Sequence, residues 1–163
     1  MRDTRGFSLV EILAVIAIIA VLGTMVTVSL RPTREKARDT KRKSTITQIG
    51  RFFSSACFVP SAGAGDYDLA EIFDEVKAAN PQYANIIPNI PKDPSGGTAT
   101  ETLYRYQVTS GGTACALYAN LERDDERVSL DHLTEPTAGG GNGILRASEE
   151  GWNGSDLYIQ ASN

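Results

Sequence analysis

Histidine occurs once in 163 residues, tryptophan once and cysteine twice. A single His132 and two cysteines cannot supply the clustered nitrogen and sulfur ligands of a zinc centre, and the chain has no HExxH helix. It also has no GxSxG elbow and no glycine-rich phosphate loop after a strand, so the residues of nucleophilic hydrolysis and nucleotide chemistry are missing. These absences point to a protein that is not an enzyme and needs no cofactor. Charge is missing from one stretch as well: from Phe7 to Leu30 the only ionisable side chain is Glu11.

What is present is unevenly distributed. Residues 1–51 hold ten Lys/Arg against four Asp/Glu, whereas residues 52–163 hold six against sixteen, so the net charge of −4 hides a basic first part and an acidic remainder. Such asymmetry points to membrane or self-association roles. As a helix, the 24 residues Phe7–Leu30 reach about 36 Å, enough to cross a bilayer. The apolar part of a secretory signal peptide is shorter, about 7–15 residues, and ends at a small-x-small site. This run continues through Val26, Val28 and Leu30 and carries a carboxylate near its start.

A carboxylate in hydrocarbon costs about 2.5–3.5 kcal/mol on insertion scales and needs a partner. The segment contains no Lys, Arg or His. Cutting after Gly6 would make the α-amine of Phe7 a cation four residues before Glu11, on the same helical face. "RG" followed by "FSLVEILAVIAIIAVLG" resembles the class III leader and N-terminal helix of bacterial type IV pilins and type II secretion pseudopilins. The resemblance implies that a prepilin peptidase cleaves after Gly6 and N-methylates Phe7. It also implies that Glu11 pairs with the N-terminus of a neighbouring subunit, and that an inner-membrane platform assembles the chain into a homopolymer. Against this, seven Lys/Arg between Arg31 and Lys43 would hold that segment in the cytoplasm by the positive-inside rule. The family's export, with the leader left inside, takes precedence.

Gly23 weakens a helix and Pro32 removes a ladder hydrogen bond, so a break or kink is expected around them. The helix should resume over 33–56, with Ile46, Ile49, Phe53 and Ala56 on one face. Residues 33–44, "TREKARDTKRKS", are polar nearly all round, hence either solvated or set against other chains; no specific nucleic-acid partner is expected beside so acidic a remainder. "DLAEIFDEVKAANP" reads as a short amphipathic helix opened by an Asp68/Glu71 capping box and lying as a lid on a sheet. "SAGAGD" before it reads as a flexible connection. "IIPNIPKDPSGG" reads as an extended loop, similar to the loop before the sheet in major pseudopilins.

Strands are expected at 103–109, 114–122 and 156–160, with "ERVSLDHL" as a possible fourth. Residues 134–155 hold too many glycines for regular structure and read as a long surface loop anchored by Trp152 on the sheet. The expected fold is α+β: a long N-terminal helix, hydrophobic in its first half, packed on a small antiparallel sheet, as in pilins. Its divisions are a leader 1–6, a transmembrane or filament-core helix 7–30, an amphipathic continuation 31–57 and a head 58–163.

Glu122, Asp124, Asp125, Glu126 and Asp131 are a weak calcium candidate without EF-hand spacing, and a solvated turn is the preferred reading. Asn153-Gly154-Ser155 fits a eukaryotic glycosylation pattern, of little weight behind a bacterial leader. Cys57 and Cys115 are either paired, as two cysteines in an exported domain usually are, or buried thiols. A bridge from helix to sheet would depart from the family's common disulfide around a C-terminal loop. The resulting expectation is a filament subunit, in the inner membrane as a precursor and then in a surface pilus or a periplasmic pseudopilus. The contrasting reading is a single-pass anchored binding domain that never polymerises.

Overall fold

A computed structural model describes residues 7–53, 56–82 and 87–163, the side chains of 25–29 excepted. The chain divides into two compact units, residues 1–35 and 36–163. The first contains the start of α1, which runs over Leu9–Phe53. Apart from Ser8 and Glu11 the side chains from Phe7 to Leu22 are apolar, and the large ones among them are exposed, from Val15 at 48% to Phe7 at 83%. Among the described residues no helix is long and apolar enough to cross a membrane. The expected span 7–30 includes the side chains that lie outside the description.

The expected break at Gly23 and Pro32 does not interrupt the helix: α1 is continuous through both. Proline deletes one N–H from the ladder at a cost of about 3 kcal/mol, and glycine costs about 1 kcal/mol relative to alanine. In a helix of 45 residues the remaining ladder carries the conformation across both positions.

The second unit, the head, takes in the later part of α1. Ile46, Ile49 and Phe53 recur at spacings of three and four and are buried against a sheet. The helix comes close to the last strand at Gly50, where a Cβ would lie 2.2 Å from that of Ala161. Five antiparallel strands follow: β1 Gly65–Asp68, β2 Tyr104–Val108, β3 Cys115–Asn120, β4 Gly143–Arg146 and β5 Leu157–Ser162, in the order β1-β2-β3-β5-β4. Alternation sets the faces: Tyr104, Tyr106 and Val108 of β2, Leu117 of β3 and Leu157 and Ile159 of β5 join the helix in the core. Phe53 stacks at 4.5 Å between ring centroids on Tyr106. The fold is thus α+β and pilin-like, a long N-terminal helix with a small antiparallel sheet.

Two strands stand where the sequence suggested none. β1 begins at the end of the supposed flexible connection and runs to the cap of the next helix, with Asp66 opposite Gln107. β4 falls inside the glycine-rich loop, because Ile144, Leu145 and Arg146 form a short extended run between glycines that pairs with β5. Conversely, "ERVSLDHL" forms no strand; Ser129 and Leu130 instead donate their N–H groups to the Ile144 carbonyl at 2.9 and 3.0 Å, covering the outer edge of β4. α2, Leu69–Ala79, opens with the Asp68/Glu71 capping box and buries Leu69, Ile72 and Val76.

Cys57 and Cys115 are bonded, with S–S 2.11 Å and Cα–Cα 5.6 Å across a separation of 58 residues. Next to them the Tyr106 hydroxyl donates to the Phe58 carbonyl at 2.8 Å and accepts from its N–H at 2.9 Å, which fixes the chain as it leaves the helix. Closing so long a loop contributes about 4 kcal/mol in the chain-entropy model. Cys115→Ser in the full chain in detergent is therefore expected to lose about 2–4 kcal/mol and to melt at the temperature of the reduced native chain. A native melting temperature indifferent to reductant would refute this.

Candidate processing and assembly site

In the first unit the helix begins with Ser8, whose Oγ accepts from the Val10 N–H at 3.3 Å, and Glu11 reaches back to accept from the Ser8 N–H at 2.8 Å. Ser8-Leu9-Val10-Glu11 is thus a capping arrangement in which the carboxylate also sits at the positive end of the helix dipole. The S-x-x-E spacing ahead of an apolar run is its sequence signal. Gly6, the expected cleavage position, lies outside the described residues. Phe7 and Glu11 are both exposed, and cleavage before Phe7 would leave the Ser8 N–H, and hence the cap, in place.

Of the polar stretch expected to be solvated or set against other chains, Arg34, Lys36 and Lys41 are exposed, whereas Asp39 and Arg42 are buried in the head and Arg38 and Lys43 partly so. Arg42 is fully buried and uses all its donors: Nε and Nη2 reach the two Asp93 oxygens at 2.5 and 2.8 Å, Nη1 reaches Asp39 at 2.8 Å and Glu122 at 2.6 Å, and Nη2 also meets Ser95 Oγ at 2.8 Å. Asp39 in turn accepts the backbone N–H groups of Glu122 at 2.9 Å and Arg123 at 3.0 Å. Arg38 forks onto Glu122, and Lys43 pairs with Glu126. The Asp93 turn is tight: a Cβ on Gly97 would come within 2.3 Å of the Asp93 nitrogen. Burial alone would raise the Asp93 carboxyl, but bonds from Arg42 and Ser95 outweigh it and hold that carboxyl below its ordinary value. Bonds from Arg38, opposed by burial and assisted by Arg42, do the same for Glu122. This cluster pins α1 to the 91–97 loop and to the end of β3.

Trp152 does not pack on the sheet as expected. It is 47% exposed, and the Arg42 guanidinium lies over its ring, 5.6 Å from Cζ to the ring centroid, in a cation–π contact. The weak calcium set is not gathered: Asp125 pairs with Arg123, Asp131 points to solvent 3.9 Å from His132, and Asp124 lends only its carbonyl, to Arg146. Among the described residues no group of three or more His, Cys, Asp or Glu is placed to hold a metal ion.

No curated protein and no solved structure matches the chain. Residues 1–27 match the family described as the prokaryotic N-terminal methylation motif. The chain therefore carries at its N-terminus the class III prepilin leader of type IV pilins and pseudopilins.

Proposed function

We propose that this chain is a structural subunit that polymerises, after cleavage behind Gly6 and methylation of Phe7, into a type IV pilus or a related pilus-like filament. The observation that carries the reading is a methylation motif leading straight into a helix whose side chains as far as Leu22 are apolar except for Glu11, the large ones exposed. A helix hydrophobic all round demands lipid or other protein around it. The membrane serves the precursor, and neighbouring copies serve the assembled subunit. Prepilin peptidase and an inner-membrane assembly platform are the partners this route requires. The filament is a surface pilus supporting adhesion, motility or DNA uptake, or a periplasm-spanning pseudopilus of type II secretion.

The test is processing. Replacing Gly6 by leucine puts a side chain where the peptidase must approach the backbone, and full-length precursor should accumulate in the inner membrane. Mass spectrometry of the native chain should find Phe7 as a methylated N-terminus. Normal cleavage of the Gly6→Leu chain, or an unprocessed Met1 start in the native one, would refute the reading.

A further inference from the structure

Strand alternation turns Tyr118 and Tyr158 to the face of the sheet opposite α1. Part of that face is covered by the 137–141 segment, where Thr137 N–H donates to Gln160 at 3.0 Å and Gln160 donates to the Gly141 carbonyl at 2.9 Å. Beside this cover lies a cleft of about 380 Å³ whose lining includes Tyr118, Tyr158, Glu135, Glu149, Thr134 and Ser148. The two rings meet edge to face, 6.2 Å between centroids. The Tyr118 hydroxyl donates to Asp66 at 2.5 Å, and burial together with Glu149 raises the Tyr158 phenol, so both rings stay neutral and electron-rich. Neither Glu135 nor Glu149 has an ion-pair partner among the described residues.

Aromatic faces beside two unneutralised carboxylates suit a cation and repel an anion. The chain itself offers cations. Arg38, Arg42 and Lys43 are held by the head, whereas Arg31, Arg34 and Lys41 are exposed and form no ion pair among the described residues. We propose that the Tyr118–Tyr158 cleft of each subunit seats a basic side chain from the 31–41 segment of a second copy. The inference rests on the polymerising reading above and names the surface through which copies recognise each other.

The experiment places p-benzoylphenylalanine at Ser148, on the cleft rim, in the full chain expressed where it assembles. Irradiated filaments should yield a cross-linked peptide containing residues 31–41 of another copy. Glu135→Lys with Glu149→Lys should cut filament yield at least about fivefold, and adding Arg34→Glu and Lys41→Glu to the same chain should recover it. All four positions are exposed, so unchanged melting of the head is the control. Normal filaments from the Glu135/Glu149 reversal, or cross-links only to other segments or another protein, would overturn the cleft while leaving polymerisation standing. A native chain that forms no filament would overturn both.

Discussion

Arg42→Ala is expected to lower the stability of the head by about 3–5 kcal/mol, the cost of leaving buried charge without its partner. For a unit of this size that is a fall in Tm on the order of 10–20 °C. The loss is large because three carboxylates, Asp39, Asp93 and Glu122, are arranged on one guanidinium, and Asp39 and Asp93 are almost wholly shielded from water. Arg42→Lys should fall between: the charge survives, but an ammonium has three donors and no planar fork to satisfy both Asp93 oxygens together. The same cluster sets a pH dependence. The Asp93 and Glu122 carboxyls are held below their ordinary values in the folded head. Their contribution is therefore fully present above about pH 4–5, the unfolded carboxylate range, and drains away as the pH falls through their lower folded values. Thermal melts of the native chain should show a steep loss below about pH 4 that Arg42→Ala makes shallower, since Asp93 then loses its guanidinium and keeps only its Ser95 bonds, while Arg38 still holds Glu122. A melting temperature for Arg42→Ala within a few degrees of native would show that the cluster is incidental.

The part of this molecule that was legible in sequence is the part governed by short-range rules. Tyr104, Tyr106 and Val108 alternate, Leu69, Ile72 and Val76 repeat at helical spacing, and Asp68 stands three residues before Glu71, so β2, α2 and its cap could be read directly. The strands that escaped are four-residue pieces next to glycine, and their pairing is decided by neighbours far along the chain: Asp66 lies opposite Gln107, and Ile144 opposite Ile159. The buried part of the basic run escaped for the same reason. Asp39 and Arg42 are one helical turn apart and readable, but Asp93 is 51 residues beyond Arg42 and Glu122 is 84 beyond Arg38. Nothing local distinguishes an arginine awaiting water from one awaiting a loop. The leader is the opposite case, because a peptidase reads contiguous residues and its site must be written contiguously.

Glu11 is the residue on which the assembly proposal turns, and two substitutions separate its two roles. Its carboxylate accepts the Ser8 N–H at 2.8 Å, a bond that a glutamine amide oxygen can also accept. A glutamine cannot, however, meet the α-amine of Phe7 on a neighbouring subunit as a charge. Glu11→Ala loses both functions, while Glu11→Gln loses only the ion pair. Both changes remove the cost of carrying a carboxylate into hydrocarbon, so both precursors should insert and be cleaved at least as well as the native chain. Assembly is where they should fail: losing one partner of a buried ion pair costs about 3–5 kcal/mol, and the ratio of filament to cleaved membrane pool should drop at least about a hundredfold for either variant. Native filament yield from Glu11→Gln together with failure of Glu11→Ala would transfer the role from charge to the helix cap. Native yield from both would leave apolar packing of the Phe7–Leu22 surface as a sufficient driving force and refute any assembly role for the carboxylate.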